Sequence, residues 1–304
     1  MSLFTKATKA QAKARVAFCG PSGAGKTYWS LLWAQKLAEG GKIAFIDTER
    51  SSASLYADKF DFDTLSMSPP YHPDRLVEAI RTAEAEGYAV IVIDSLTHFW
   101  QGKGGVLEIV DEAKGRFGGN QYMAWGVGTP LQQQMVDALL AFNGHVIVTM
   151  RSKTEYTMEK NEKGKTEIKK VGMAPQQRDG IEYEFTLVFD VDIQHRAVAS
   201  KTRCDTLADR SFQPNHAEEA SDIFLNWLTA GDPLLSQNER DSIDNKIKAL
   251  SPAQKRALGA EWASRGLPKV NALTEGRKAE ALALILVAGE PVDEEEPADE
   301  AIPS

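Results

Sequence analysis

Residues 20–27 read Gly20-Pro21-Ser22-Gly23-Ala24-Gly25-Lys26-Thr27. An apolar run at residues 16–19 precedes them, and a helical pattern begins near Tyr28. A strand, a glycine-rich turn and a helix in this order form the setting in which the pattern G-x-x-x-x-G-K-[ST] binds phosphate groups. The turn points its backbone N–H groups at phosphate oxygens, and the helix N-terminus adds partial positive charge. The sequence therefore predicts a nucleotide site, with Lys26 on the β- and γ-phosphates and Thr27 as a ligand of Mg²⁺.

The composition is that of a globular protein, because 42% of the 304 residues are hydrophobic and 26% are charged. No apolar run approaches the roughly 20 residues that a membrane-spanning helix needs. The N-terminus lacks the apolar segment of a secretory signal. Cys19 and Cys204 are the chain's two cysteines, too few for a disulfide framework or a cysteine metal site. We expect a cytoplasmic protein that does not bind membranes.

Charge is distributed unevenly along the chain. The net charge is −8, but the last fifteen residues hold seven acids and no base, so the body is close to neutral. We expect this tail to be disordered, because it is acidic and interrupted by proline. The predicted organisation is a basic N-terminal arm at residues 1–15, a core at 16–230, a helical appendage at 231–289 and the acidic tail at 290–304.

Strands and helices alternate in the first half of the chain, which predicts an α/β core with a mostly parallel sheet flanked by helices. Later segments predict a polar hairpin with its turn at residues 161–164, two further strands at 183–191 and 197–201, a helix at 217–229 and short amphipathic helices, one capped by Ser251. The core strands are expected at residues 16–19, 42–47, 62–67, 88–93 and 145–150. The core helices are expected from Tyr28 to the glycines at 40–41, and at 73–86, 106–113 and 130–142.

Acidic residues follow two of the predicted buried strands. Asp94 ends the run 90–93 and is expected to bind Mg²⁺ from a strand adjacent to the phosphate-loop strand. Asp47 and Glu49 follow the second strand, and Glu49 is the better candidate for activating the attacking water because it lies beyond the strand end. Thr149 and Arg151 leave the fourth strand at the same edge and are candidates for sensing the γ-phosphate.

These stretches resemble the cores of RecA-like recombinases, in which the acid after the second strand is the catalytic carboxylate and the next strand carries the metal-side acid. The resemblance implies those roles for Glu49 and Asp94. A closer resemblance is to phage-encoded RecA-core, AAA-type nucleotide-binding ATPases, whose Sak-group members anneal single strands in recombination. It covers residues 12–215 through matching stretches at 20–27, 46–50, 93–100, 149–156, 171–192 and 200–204.

In that family a late Lys-x-Lys or Lys-x-Arg strand donates cations to the site of a neighbouring subunit. Lys201-Thr202-Arg203 matches this element, so the resemblance implies that Lys201 and Arg203 act in trans. It also implies assembly into a ring or filament of identical subunits.

The resemblance further implies that loops at residues 102–119 and 152–175 bind single-stranded DNA. The segment 151–178 carries eight basic and four acidic residues in a chain of negative net charge. The aromatics Trp100, Phe117, Tyr122 and Trp125 are either further stacking platforms or core residues. The residues expected to contact DNA, by charge or by base stacking, are Lys153, Tyr156, Lys160, Lys163, Lys165, Lys169, Lys170 and Arg178.

Three functions remain open at this point. The first is an ATP-dependent recombination protein that assembles on single-stranded DNA and promotes annealing or pairing, with a single-strand-binding protein or another recombination factor as a further partner. The second is a nucleotide-switched assembly or loading ATPase that acts through the C-terminal helices. The third is a nucleotide kinase, because the phosphate loop also resembles that of guanylate kinases. ATP and Mg²⁺ are the expected cofactors in each case.

Overall fold

The computed structural model of the chain describes residues 11–160 and 166–290, including their side chains except at residues 154–173 and 237. These residues belong to two compact units. One unit spans Lys13–Leu228, and the other contains residues 11–12 together with the chain from Thr229 onward.

The first unit is built on a mostly parallel sheet. In the described part of the chain its strands are β1 (Arg15–Gly20), β2 (Ile43–Asp47), β3 (Asp63–Ser66), β4 (Val90–Asp94), β5 (His145–Lys160), β6 (Thr166–Pro175), β7 (Leu187–Val191), β8 (Ala197–Thr202) and β9 (Ser211–Phe212). The helices are α1 (Lys26–Ala38), α2 (Pro73–Ala85), α3 (Thr97–Gln101), α4 (Val106–Arg116), α5 (Gln121–Ala141) and α6 (Ala217–Thr229).

The order across the sheet is β3-β2-β4-β5-β1-β7-β8-β9, and β6 pairs with the outer part of β5. Neighbours from β3 to β7 run parallel, whereas β7, β8 and β9 pair antiparallel. The α/β class predicted from the sequence, with helices flanking a mostly parallel sheet, is confirmed. The carboxyl ends of β1, β2, β4 and β5 therefore meet at one edge, where ligands bind in open α/β sheets.

Alternate residues of the central strands point into two separate cores. Val90 and Val92 of β4 pack with α1 and α6, whereas Ile91 and Ile93 pack with α2 and α5. This explains the continuous apolar run of β4, which is buried on both faces. Large aromatic side chains fill the first core, where Phe18 stacks on Phe189 with ring centroids 5.4 Å apart.

Helix α5 begins at Gln121, nine residues before the expected start at Pro130. The prediction was wrong because it took the proline as the first helical residue. The Asn120 side chain instead accepts a hydrogen bond from Met123 N and caps the helix. A Cβ at Gly128 would lie 2.3 Å from Val110, so α4 packs directly on α5 at this glycine.

The strand expected at residues 183–191 is shorter than predicted. Residues Ile181–Glu184 form a 3₁₀ turn, and β7 starts only at Leu187. The Lys201 Nζ donates hydrogen bonds to the carbonyl oxygens of Glu182 at 2.9 Å and Tyr183 at 3.0 Å, and also to that of Phe185. These bonds satisfy carbonyl groups that have no partner strand.

The second unit contains the helices α7 (Gln237–Ala249), α8 (Pro252–Ser264) and α9 (Glu275–Gly289) around a small apolar core. The predicted cap at Ser251 is confirmed, since its side chain accepts from Gln254 N while Gln254 Oε1 accepts from Ser251 N. Of the helices in the described part of the chain, none is long and apolar enough to cross a membrane.

Candidate active site

The phosphate loop connects β1 to α1 with the geometry its glycines require. Gly23 and Gly25 have φ values of +80° and +87°, a region that side chains disfavour. A Cβ at Gly20 would lie 2.4 Å from the Val191 carbonyl oxygen, so the loop strand passes too close to β7 for any side chain. The tight turn delivers the backbone N–H groups of the loop to the start of α1.

His195 supports this loop from the turn between β7 and β8. Its Nδ1 lies 3.0 Å from the Ala24 carbonyl oxygen, and its own carbonyl accepts from Trp29 Nε1 at 2.9 Å. Sequence spacing gave no sign of this contact, because 171 residues separate His195 from Ala24. The pairing of β7 with β1 brings the two together.

The side chains predicted to hold Mg²⁺ lie in contact. Thr27 Oγ1 donates to Asp94 Oδ2 at 2.5 Å, and Thr149 Oγ1 donates to Asp94 Oδ1. Burial raises the pKa of Asp94, and the two hydroxyl hydrogen bonds oppose that rise. A hydroxyl and a carboxylate are the oxygen ligands that Mg²⁺ prefers, so Thr27 and Asp94 fit the metal expected at this edge.

One expected neighbour relation was wrong. Strand β4 does not lie beside β1, because β5 is inserted between them. Thr149 lies on β5, between β1 and β4, and its hydroxyl donates to the Asp94 carboxylate beside the donor from Thr27. Thr149 therefore contacts Asp94, the acid expected to bind Mg²⁺.

Asp47 organises the loop that presents Glu49. Its Oδ1 accepts from the backbone N–H groups of Glu49 at 2.7 Å and Ser51 at 3.3 Å, while Oδ2 accepts from Ala53 N at 3.0 Å. Asp47 is fully buried, and both of its oxygens are engaged by backbone. Of the two acids after β2, Glu49 is the one whose carboxylate faces the site.

The Glu49 carboxylate is held by an arginine. Arg151 donates to Oε1 from Nε at 3.0 Å and from Nη2 at 2.8 Å, and Nη2 also lies 2.6 Å from Oε2. Ser95 Oγ lies 3.4 Å from Oε1. Burial acts to raise the pKa of Glu49, but the hydrogen bonds and charge of Arg151 outweigh it and lower the pKa.

The charges of Asp94 and Glu49 act on the side chain of Lys26. Its Nζ donates to the Pro21 carbonyl oxygen at 2.8 Å. Burial lowers the pKa of Lys26, whereas the negative charges of Asp94 and Glu49 act to raise it. The loop lysine, the metal-side acid and the candidate base thus share one electrostatic environment.

Thr48 and His98 support this arrangement and were not predicted. Thr48 Oγ1 lies 2.7 Å from both Ser95 N and His98 Nδ1, and 2.9 Å from the Asp94 carbonyl oxygen. The His98 ring stacks on Tyr71 with centroids 5.0 Å apart, and its Nε2 lies 3.9 Å from Glu49 Oε1. Burial lowers the pKa of His98, and the charge of Glu49 opposes that change.

Comparison with known proteins agrees with this geometry. The model of the family described as AAA domain matches residues 12–218, which is more than half of the chain. The chain belongs to the AAA domain family. No curated protein matches the sequence. Family membership and the phosphate loop together make residues 12–218 a P-loop NTPase domain, and they support ATPase activity and the binding of ATP with Mg²⁺.

The late cations of the AAA domain differ in their surroundings. Lys201 Nζ donates to the carbonyl groups of Glu182 and Tyr183 in the 3₁₀ turn and of Phe185 just after it, where it supports the backbone. Arg203 is exposed just beyond β8, and its backbone N–H donates to the Thr186 carbonyl oxygen at 3.1 Å. Arg203 is therefore the more accessible of the two cations.

The residues expected to contact DNA are only partly described. Lys153 is exposed on β5, and the Arg178 guanidinium lies 6.0 Å from the Trp125 ring. Tyr156 and Lys160 lie on β5, and their strand position is all that is described of them. The same holds for Lys169 and Lys170 on β6. Lys163, in the predicted turn, and Lys165, just after it, lie outside the described residues.

Two of the four candidate aromatic platforms pack together, and two lie at the surface. Trp100 is buried and stacks on Trp125 with centroids 5.9 Å apart. Tyr122 is 90% exposed and Phe117 is 38% exposed, so these two are open to a ligand.

Gln177 connects the end of the hairpin to the site. Its Nε2 lies 3.3 Å from the Leu96 carbonyl oxygen, two residues after Asp94. Its Oε1 accepts from Gln132 Nε2 at 3.4 Å and from Arg178 N at 2.8 Å. Gln177 is buried, so these bonds fix the segment after β6 to the turn after β4.

Proposed function

We propose that this AAA domain hydrolyses ATP in a recombination protein of the Sak-group type, which assembles on single-stranded DNA and promotes annealing or pairing. The observation that carries the proposal is the course of β5. This strand carries Thr149, which donates to Asp94, and Arg151, which donates to Glu49. It then continues into the hairpin formed with β6. One strand thus joins the hydrolytic site to the basic segment.

In the hydrolytic step, Glu49 accepts a proton from the attacking water. The oxygen of that water bonds to the γ-phosphorus, and the bond between the γ-phosphorus and the leaving oxygen of ADP breaks. Lys26 binds the phosphate oxygens, and the backbone of residues 20–27 positions them. Asp94 and Thr27 would hold Mg²⁺, which would supply positive charge to neutralise the phosphates.

The nucleic-acid part of the proposal rests on charge and backbone. The hairpin strands contain Lys153, Lys160, Lys169 and Lys170. Cations along an extended hairpin suit the phosphates of a single strand, and Tyr156 offers a surface for base stacking. Assembly of identical subunits would bring Arg203 to a neighbouring site, where it would stabilise charge on the transferred phosphoryl group.

The test is steady-state hydrolysis of ATP with and without single-stranded DNA. We expect Glu49→Gln to lower kcat by about 10²–10⁴-fold, since the amide cannot accept the proton. Glu112→Gln, an exposed position on α4, is the matched control and should behave as wild type. Normal hydrolysis by Glu49→Gln would refute the catalytic assignment, and an absent response of the wild type to DNA would refute the partner.

A nucleotide-switched loading ATPase is the second candidate, and the separate compact unit of α7, α8 and α9 favours it. In that function the helical unit would deliver the nucleotide signal to a protein partner. Truncation at Gly231 separates the two proposals. Retained DNA annealing in the truncated chain supports the recombination function, whereas its loss with normal hydrolysis supports loading.

A further inference from the structure

Arg151 lies where β5 leaves the parallel sheet and enters the hairpin. It pairs with Gly20, the last residue of β1, and the next residue, Ser152, already pairs antiparallel with Pro175 of β6. The Arg151 N–H donates to Thr97 Oγ1 at 3.0 Å, and its carbonyl accepts from Gln176 N at 2.6 Å. The backbone of Arg151 is therefore directly joined to the first paired residues of the hairpin.

The guanidinium engages Glu49 in a way that opposes its use as a base. Oε1 receives two N–H donors of Arg151 and faces Ser95 Oγ, while Oε2 receives one N–H donor. The pair is partly buried, with 26% of the Glu49 side chain exposed. A carboxylate stabilised by a bidentate guanidinium binds a proton less readily, and its remaining lone pairs are constrained in direction.

The same pair is sensitive to the hairpin. The Arg151 side chain is anchored at one end to the hairpin backbone and at the other to the loop after β2. A guanidinium fork holds both carboxylate oxygens only in a narrow range of orientations. Reorientation of the strand at Ser152 therefore weakens the pair without any change in the loop that carries Glu49.

We propose that Arg151 is a positioning residue that restrains Glu49 until a ligand binds the β5–β6 hairpin, so that hydrolysis is coupled to DNA through this one ion pair. The inference rests on the proposed function, because it takes Glu49 as the base and single-stranded DNA as the ligand of the hairpin. It adds a means of regulation, since the restraint acts before the ligand arrives.

The experiment measures kcat and KM for ATP with and without single-stranded oligodeoxythymidine in the full chain carrying Arg151→Gln. We expect DNA-free kcat to rise about tenfold with KM unchanged, because removal of a charge-assisted hydrogen bond alters the barrier by roughly that factor. The ratio of rates with and without DNA should fall toward one. Arg50→Gln is the matched control, since Arg50 is exposed, adjoins Glu49 and forms no ion pair among the described residues.

A lower kcat in Arg151→Gln, at a thermal midpoint matching wild type, would overturn the proposal and indicate that Arg151 acts on the phosphates. Arg151→Lys keeps the charge without the fork, so it should give a smaller rise in DNA-free kcat and also serves if the glutamine variant is unstable. An unchanged rate in a folded Arg151→Lys chain would likewise count against the restraint.

Failure of the proposed function gives a different pattern. If Glu49 is not the base, Glu49→Gln hydrolyses normally whatever Arg151 does. If DNA is not the ligand, the wild type ignores DNA while Arg151→Gln is still activated. The restraint itself requires that the double variant Glu49→Gln, Arg151→Gln be as inactive as Glu49→Gln, and activation of the double variant would contradict it.

Discussion

Asp94 is a fully buried carboxylate whose two oxygens each accept a threonine hydroxyl, one from the phosphate-loop helix and one from β5. A metal ligand held by neighbouring hydroxyl groups keeps the orientation that the cation requires. Thr149 is itself fully buried, so its hydroxyl has lost its hydrogen bonds to water. The hydrogen bond to Asp94 compensates for that loss.

We predict that Thr149→Val raises the Mg²⁺ concentration for half-maximal ATP hydrolysis by about tenfold, the usual penalty for losing a group that orients a metal ligand. The valine keeps the shape of the side chain but cannot donate to Asp94. A Mg²⁺ titration of steady-state hydrolysis measures the effect. Thr149→Ser retains the donor and is the control, and an equal shift in both variants would assign the effect to packing.

The residues of the site divide by how far along the chain their partners lie. The phosphate loop, Glu49 and Asp94 follow from short patterns, because each is marked by the few residues beside it. The contact of Thr48 with His98 spans 50 residues and that of Glu49 with Arg151 spans 102, so both depend on strand order. Alternation of strands and helices predicts a parallel sheet, but it does not place β5 between β4 and β1.

At the scale of elements, Arg15 at the start of β1 holds the end of α5. Its Nη1 donates to Gly144 O at 2.7 Å, and its Nη2 donates to Leu140 O at 2.8 Å and Phe142 O at 2.6 Å. Burial lowers the pKa of Arg15 to about 10, so the guanidinium stays charged at pH 7. A cation at a helix C-terminus also interacts favourably with the helix dipole. The sequence pattern assigned Arg15 to a basic arm, because it gives no sign that the end of α5 lies beside this residue.

We predict that Arg15→Met lowers the free energy of unfolding of the first unit by about 2–3 kcal/mol. Several buried carbonyl groups lose a charged donor, and removal of one buried charge offsets only part of that loss. Urea denaturation followed by tryptophan fluorescence measures the change. Arg116→Met, at an exposed position on α4, should change the free energy by less than about 0.5 kcal/mol. An equal effect of both substitutions would contradict the capping role.

Element boundaries were predicted less well than element types, and each error has a physical source. Pro130 lies inside α5, because the Asn120 cap and the burial of Ala124 and Gly128 stabilise the turns before it. The mostly apolar segment 185–191 follows directly on the 3₁₀ turn at Ile181–Glu184, so the sequence does not mark where the turn ends and the strand begins. Lys201 on the following strand, β8, stabilises that turn across 19 residues of sequence, which a local pattern does not reveal.

At the scale of the whole molecule, the central question is whether the site is complete within one chain. The described first unit supplies the phosphate loop, the candidate metal-binding acid Asp94 and the candidate base Glu49. Lys201 is engaged by backbone carbonyl groups, and Arg203 is exposed beyond β8. A site that takes its last cation from another subunit hydrolyses ATP only when assembled, which ties the reaction to the formation of a ring or filament.

We predict that mixing two inactive variants restores hydrolysis. Glu49→Gln lacks the base but keeps Arg203, and Arg203→Ala lacks the cation but keeps Glu49. In an equal mixture about a quarter of the interfaces between subunits join an intact Glu49 to an intact Arg203, so activity should recover toward that fraction of wild type. Steady-state hydrolysis of the mixture, compared with each variant alone, is the measurement.

The mixture separates action in trans from action in cis. If Arg203 served the site of its own chain, each subunit of the mixture would lack either the base or the cation, and activity would stay at the sum of the two variants. Lys26→Ala mixed with Glu49→Gln is the control, because both residues lie in the same site, so neither subunit has a complete one. Recovery of activity in this control would mean that a site can combine Lys26 and Glu49 from different chains. In that case the recovery of the first mixture would not be evidence that Arg203 acts on a neighbouring subunit.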